Sequence, residues 1–229
     1  VPRSVPALLA LSSTPSTVPA LPIAVSLIPI PSSPLARKVQ EYAERELPVE
    51  TFNHSMRVYY YGQAILQHLF PSWSTPSFNE TYFLTCLLHD IGTTPHNITA
   101  TLLSFEYQGA FIALELLKSL HAPTAQAESV AEAVIRHQDL GTTGTLTRLT
   151  SLLQLSTTHD NLGSNPQLVA IATIENVVAA YPRRRWSACF AATVRRENAL
   201  KPWAHSTHLG ELEFPVGVEG NALMAPWDG

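Results

Sequence analysis

The stretch CLLHDIGTTP, residues 86–95, ends an apolar run in a His-Asp pair and then breaks at a glycine. Two adjacent polar residues at a helix end can simply face water. They can also be two ligands of one cation, and the choice decides whether the chain is an enzyme. Upstream, NETYFLTCLLHDIG is apolar on nearly every side, which predicts a buried central helix. An imidazole and a carboxylate closing such a helix need partners, because an unpaired buried polar group is costly.

Helical periodicity extends outward from this segment. SPLARKVQEYAERELP places Leu35, Val39, Tyr42 and Leu47 near one face, opposite Arg37, Lys38, Glu41 and Glu44. Pro34 and Pro48 punctuate its two ends. ETFNHSMRVYYYGQAILQHLF predicts a second helix, ended by Pro71 and the polar loop SWSTPS. Beyond the His-Asp pair come TLLSFEYQGAFIALELLKSLHA, closed by Pro123, and TAQAESVAEAVIRHQD, with Thr124 as its expected N-cap. TRLTSLLQLSTTHDNLG, NPQLVAIATIENVVAAYP and WSACFAATVRRENALKP add three more, and the tail from Trp203 is expected to be coil or short turns. Strand-like alternation is scarce outside LPIAVSLIPIP, and neither a repeat nor a linker divides the chain. The expected fold is all-α, a bundle of seven to nine helices spanning residues 35–229, preceded by a Pro-rich extended arm over residues 1–34.

Prolines at 6, 15, 19, 22, 29, 31 and 34 break that arm too often for a membrane span of about 20 residues. Only ALLAL follows Arg3 as an apolar core for a secretory signal, which is too short. A cytoplasmic protein is therefore expected. Net charge is -4 without a long basic run, which disfavours nucleic-acid binding; Arg183 to Arg185 are expected to be a solvated helix start. Cys86 and Cys189 form no CxxC pair, so a disulfide scaffold or thiolate zinc site is disfavoured and buried inert thiols are expected.

Of nine histidines, His68 and His121 sit at expected helix C-termini, where partial positive charge suits the dipole. His54, the His89-Asp90 pair, His137 and Asp160 instead each interrupt or close an apolar helix. One shared cation would satisfy all of them together, and Gly92 permits the break that lets adjacent His and Asp reach one ion. Asn53, Gln138, His159 and Asn161 flank the set as candidate substrate-binding or ligand-orienting groups. Tyr59 to Tyr61 are expected to be core aromatics.

A separate His, a His-Asp pair and a distant Asp on a helical scaffold resemble the HD-domain metalloenzyme superfamily. A narrower resemblance is carried by ELPVETFNHSMRVYYYGQAI, LLHDIGTT, VIRHQD and RRENALKPWAHSTHL, which look like the fungal cyanamide hydratases, or urea hydro-lyases. These motifs run from about Leu47 to Leu209. The resemblance implies a single HD-domain helical bundle, one Zn²⁺ on His54, His89, Asp90 and Asp160, and hydration of cyanamide to urea. Such a cation acidifies water towards a pKa of roughly 7, supplying the nucleophile that attacks the nitrile carbon. Asp90 and His137 are the expected catalytic groups, Asp90 as base for that water, His137 donating or relaying the proton to the imidate nitrogen. Whether His137 is instead a further ligand stays open, as does a binuclear site using His137 and His159, and a homo-oligomer.

The competing enzyme expectation is an HD phosphohydrolase acting on nucleotides or other phosphoesters. Only Arg57 and Arg136 lie near the motifs to meet phosphate, and no Gly-rich phosphate loop is present. A non-catalytic HD scaffold is the third expectation, though no motif ligand is missing.

Overall fold

Ser33 opens the helical part of the chain by accepting a hydrogen bond from the amide of Ala36 at 3.0 Å, with Pro34 at the first helical position. The computed structural model describes residues 4–6, 19–141 and 143–229. Helix α1 (Pro34–Glu46) buries Ala36, Val39 and Ala43 and leaves its charged face in water. Helix α2 (Val49–Leu69) follows after Pro48 and is buried continuously from Asn53 to Leu66. Helix α3 (Pro76–Leu88), capped by Thr75, is likewise buried from Thr81 onward.

The backbone then turns through a short 3-10 segment, Ile91–Thr93, into the one-turn helix α4 (Pro95–Thr99). Gly92 is needed there. A Cβ on it would lie 2.0 Å from the carbonyl oxygen of Phe105, so the turn after the His-Asp pair is pressed against the start of helix α5 (Phe105–Ser119). Helices α6 (Thr124–Arg136) and α7 (Arg148–Leu162) follow, then α8 (Ile171–Ala180), α9 (Trp186–Leu200) and α10 (Glu213–Glu219). Helix α2 touches α3, α7, α8 and α9, while α3 also meets α6 and α7. The two most buried helices, α2 and α7, thus meet in the centre, and the ends of α3 and α6 converge on them.

The all-α expectation holds. The strands present among the described residues are three residues each: β1 (Ser4–Pro6) pairs antiparallel with β2 (Thr145–Thr147), Val5 opposite Leu146. Ten α-helices are described, against the seven to nine expected, because α4 and α10 are too short to show a helical period. The tail is more than coil: Phe214 and Val218 of α10 pack on Trp186, Phe190, Ala191 and Val194 of α9. Thr124 is the first residue of α6 rather than its N-cap; Pro123 holds the cap position and makes no side-chain bond there.

LPIAVSLIPIP forms a 3-10 turn at Val25–Leu27 instead of a strand. Its amides are claimed by α8, Ile23 donating to Thr173 Oγ1 at 2.8 Å and Val25 to Asn176 Oδ1 at 2.7 Å. The Tyr59 hydroxyl donates to the Pro29 carbonyl, which ties the same stretch to α2. Residues 1–3 and 7–18 of the expected arm lie outside the described residues. No helix among the described residues is long and apolar enough to cross a membrane.

Candidate metal centre

His54 sits in the second turn of α2, while His89 and Asp90 directly follow the last residue of α3 and His137 that of α6. All four are buried. His54 Nε2 and His89 Nε2 lie 3.2 Å apart, and Asp90 Oδ2 lies 3.3 Å from His89 Nε2 and 3.6 Å from His54 Nε2. His137 Nε2 approaches the other carboxylate oxygen, Asp90 Oδ1, at 3.8 Å. Among the described residues, neither oxygen of Asp90 has a hydrogen-bond partner.

The tautomers follow from what holds the opposite nitrogens. His89 Nδ1 faces the Cys86 carbonyl at 2.8 Å and His137 Nδ1 faces the Val134 carbonyl at 2.7 Å; a carbonyl only accepts, so each Nδ1 carries the proton. His54 Nδ1 donates in the same way to Asp160 Oδ2 at 2.6 Å. Three Nε2 lone pairs therefore converge on an orphaned carboxylate. Such a collection of acceptors repels itself unless a positive charge enters, and a divalent cation matches its N and O chemistry. His54, His89 and Asp90 have their donor atoms close enough to share one ion.

Without a cation, the carboxylate draws positive charge onto the neighbouring rings. Burial would raise Asp90, yet His89, His54 and His137 overcome it and hold the carboxyl well below the usual carboxylate range. Burial pushes His54 down to about 4 against the pull of Asp160 and Asp90. Burial, reinforced by His89, also lowers His137. Burial pulls His89 down too, but the adjoining Asp90 charge wins and raises it.

Asp160 is placed on the far side of His54. Besides the imidazole, it accepts from Arg57 Nε at 3.1 Å, Arg57 Nη2 at 2.9 Å and Arg183 Nη1 at 2.5 Å. Burial would raise its pKa, but Arg57 and Arg183 hold it well below the carboxylate range. Both of its oxygens are thus occupied by protein donors. Arg183 is fully buried, against the expectation of a solvated Arg183 to Arg185 cluster, and its Nε also meets Asp228 at 2.9 Å. Nothing in the local spacing of YPRRRW separates Arg183 from its neighbours; only pairing with Asp160 across the fold does.

The four flanking residues divide. Asn53 donates to the Pro182 carbonyl at 2.9 Å. Asn161 accepts from Trp186 Nε1 at 2.7 Å, and that indole stacks on His54 with centroids 4.2 Å apart. His159 lies under Tyr61, its Nδ1 on the Ser164 carbonyl at 3.1 Å, and burial holds it near a pKa of about 4. Gln138 is buried with its Oε1 unpartnered. Tyr59 to Tyr61 are core residues, as expected. Of the thiols, Cys86 is fully buried and Cys189 half-buried. The stacking role of Trp186 had no signal in the sequence beyond an aromatic at a helix start.

A family model described as HD domain matches residues 51–172. Cyanamide hydratase DDI2 and cyanamide hydratase DDI3 of Saccharomyces cerevisiae are each 44% identical to the chain over 187 residues, 81% of this chain and 82% of each relative. The chain belongs to the HD-domain family, in its cyanamide hydratase branch. For a cyanamide hydratase-type HD protein the matched segment is the relevant one, since it contains His54, His89, Asp90, His137 and Asp160. The HD family implies a divalent metal, and the converging imidazoles and carboxylate are a donor set able to hold one.

Proposed function

We propose that the chain hydrates the nitrile of cyanamide to urea, with Zn²⁺ as its cation held by His54, His89 and Asp90. The observation that carries this is the group of three Nε2 atoms, each with its Nδ1 held by an acceptor, around the orphaned Asp90 carboxylate. The spacing suits zinc: bonds of roughly 2.0–2.1 Å at tetrahedral angles put ligand atoms about 3.3–3.4 Å apart. The separations of 3.2, 3.3 and 3.6 Å bracket that value. Bound there, the ion supplies a Lewis-acid charge that polarises the nitrile and acidifies water.

The remaining work belongs to side chains. Asp160 keeps the His54 proton on Nδ1, and Trp186 fixes the ring plane, so His54 presents its lone pair to the ion; this gives Asp160 an orienting role in place of direct ligation. His137, with Nδ1 locked on Val134, exchanges protons only through Nε2. It takes the proton released as water adds to the nitrile carbon and returns it to the imidate nitrogen, giving isourea, which becomes urea when its hydroxyl proton shifts to the imine nitrogen. Gln138 offers its free Oε1 to the substrate amine. Burial of all these groups excludes bulk water from so small a substrate.

A phosphoester substrate would need unpaired cations. Arg57 is committed to Asp160, and Arg136 is paired with Asp139 and Glu132. The cytoplasm remains the proposed location, supported by the two free thiols Cys86 and Cys189. Urea formation from cyanamide and phosphate release from nucleotides, measured on one preparation, test the function: urea without phosphate is expected, and phosphate without urea contradicts it. His137→Gln should keep its metal while kcat falls by roughly 10²–10⁴-fold.

A further inference from the structure

A second group of ligating side chains lies outside the metal centre. Asp139, His205 and His208 each offer a donor atom within 4.8 Å of the others. Asp139 lies two residues after His137, whereas His205 and His208 are three apart on the 3-10 turn His205–Leu209, their rings stacked at 4.3 Å. Sixty-odd residues of chain separate the two contributions, so this is a tertiary constellation and not a local run.

The imidazoles are prepared in the manner of those inside. His208 Nδ1 is bonded to the His205 carbonyl, which places its proton on Nδ1 and leaves Nε2 as a lone pair. His205 Nδ1 lies 3.4 Å from Glu106 Oε1, so a carboxylate stands behind this ring as Asp160 stands behind His54. Glu106 is fully buried, and its second oxygen has no partner. The turn itself is anchored, with the His205 amide on Ser104 Oγ at 2.8 Å and Lys201 on the Leu103 carbonyl at 2.6 Å. Among the described residues, Asp139 accepts from Arg136 through Oδ2.

We propose that Asp139, His205 and His208 form a second site for a divalent transition cation, with Glu106 positioning His205. Two imidazoles and one carboxylate are a zinc-type donor set that leaves a position open to water. The site is weaker than the buried one, because it is partly exposed and its donors must close by up to about 1.4 Å to reach ligand spacing. It fills second. When filled, it fastens the C-terminal turn to the loop that follows α6 and carries His137 and Gln138, alongside the metal centre.

The test uses the untagged full chain, brought to one equivalent of Zn²⁺ and then titrated with more in a calorimeter, with bound metal counted after desalting. Wild type is expected to take a second equivalent. His208→Ala and Asp139→Asn should keep the first equivalent, which also reports a folded protein, and bind the second at least ~10-fold more weakly. Glu106→Gln should weaken the second by roughly 10–100-fold, the usual effect of losing a carboxylate behind a ligating imidazole. His89→Ala should lose the first equivalent and keep the second, which separates this inference from the proposed zinc enzyme. Wild type stopping at one equivalent, or His208→Ala binding the second undiminished, would overturn it.

Discussion

Each imidazole of the metal centre owes its orientation to an acceptor on Nδ1: Asp160 for His54, the Cys86 carbonyl for His89, the Val134 carbonyl for His137. Only the first of these can be changed by substitution. Asp160→Asn can still accept from His54 but no longer balances two buried guanidiniums. Metal affinity should fall roughly 10–100-fold in a chelator competition. Unfolding stability should fall by about 3–5 kcal/mol in denaturant, because Arg57 and Arg183 lose their counter-charge. His159 makes a separate, pH-dependent prediction. It is held neutral down to about 4, whereas the unfolded chain takes up a proton at this residue from about 6.5 downward. Between those values the unfolded state binds the extra proton, so its stabilisation is complete above about 6.5 and is lost as pH falls towards 4. The loss is roughly 3 kcal/mol by linkage, and His159→Gln should flatten the slope of unfolding free energy against pH by about one proton. An unchanged slope would contradict the buried neutral assignment.

At the scale of elements, the site is made by helix ends: α3 stops at Leu88 and α6 at Arg136, and the next residues point inward. The Gly92 turn holds this arrangement. Gly92→Ala should cost about 3 kcal/mol or more, since the nearest atom is backbone and cannot swing away. It should also lower metal content, measured by mass spectrometry of the folded fraction. The helices long enough to show a period were legible in the sequence, and so were the residues that break them, His54, His89, Asp90, His137 and Asp160. What periodicity could not convey was partnership. Arg183 reads as surface charge until Asp160 is known to lie beside it, and the spacing of Asp160 gives no sign of the two arginines its oxygens bond. Helices of five and seven residues, α4 and α10, carry too few positions for any pattern. LPIAVSLIPIP alternates like a strand, yet its amides are taken by side chains of α8, so no ladder forms.

For the whole molecule, the fold places an uncompensated anionic and lone-pair cluster at its centre and surrounds it with α2, α3, α6 and α7. That burial is costly without a cation, so metal binding and folding stability should be coupled: stripping the metal is expected to lower the thermal midpoint, and one equivalent should restore it. The most direct measurement is urea formation by chelator-stripped protein as Zn²⁺ is returned. Activity should rise linearly, reach its plateau at the first equivalent, and be absent throughout in Asp90→Asn. Urea formation by the metal-free protein, or a plateau reached equally by Asp90→Asn, would contradict the assignment.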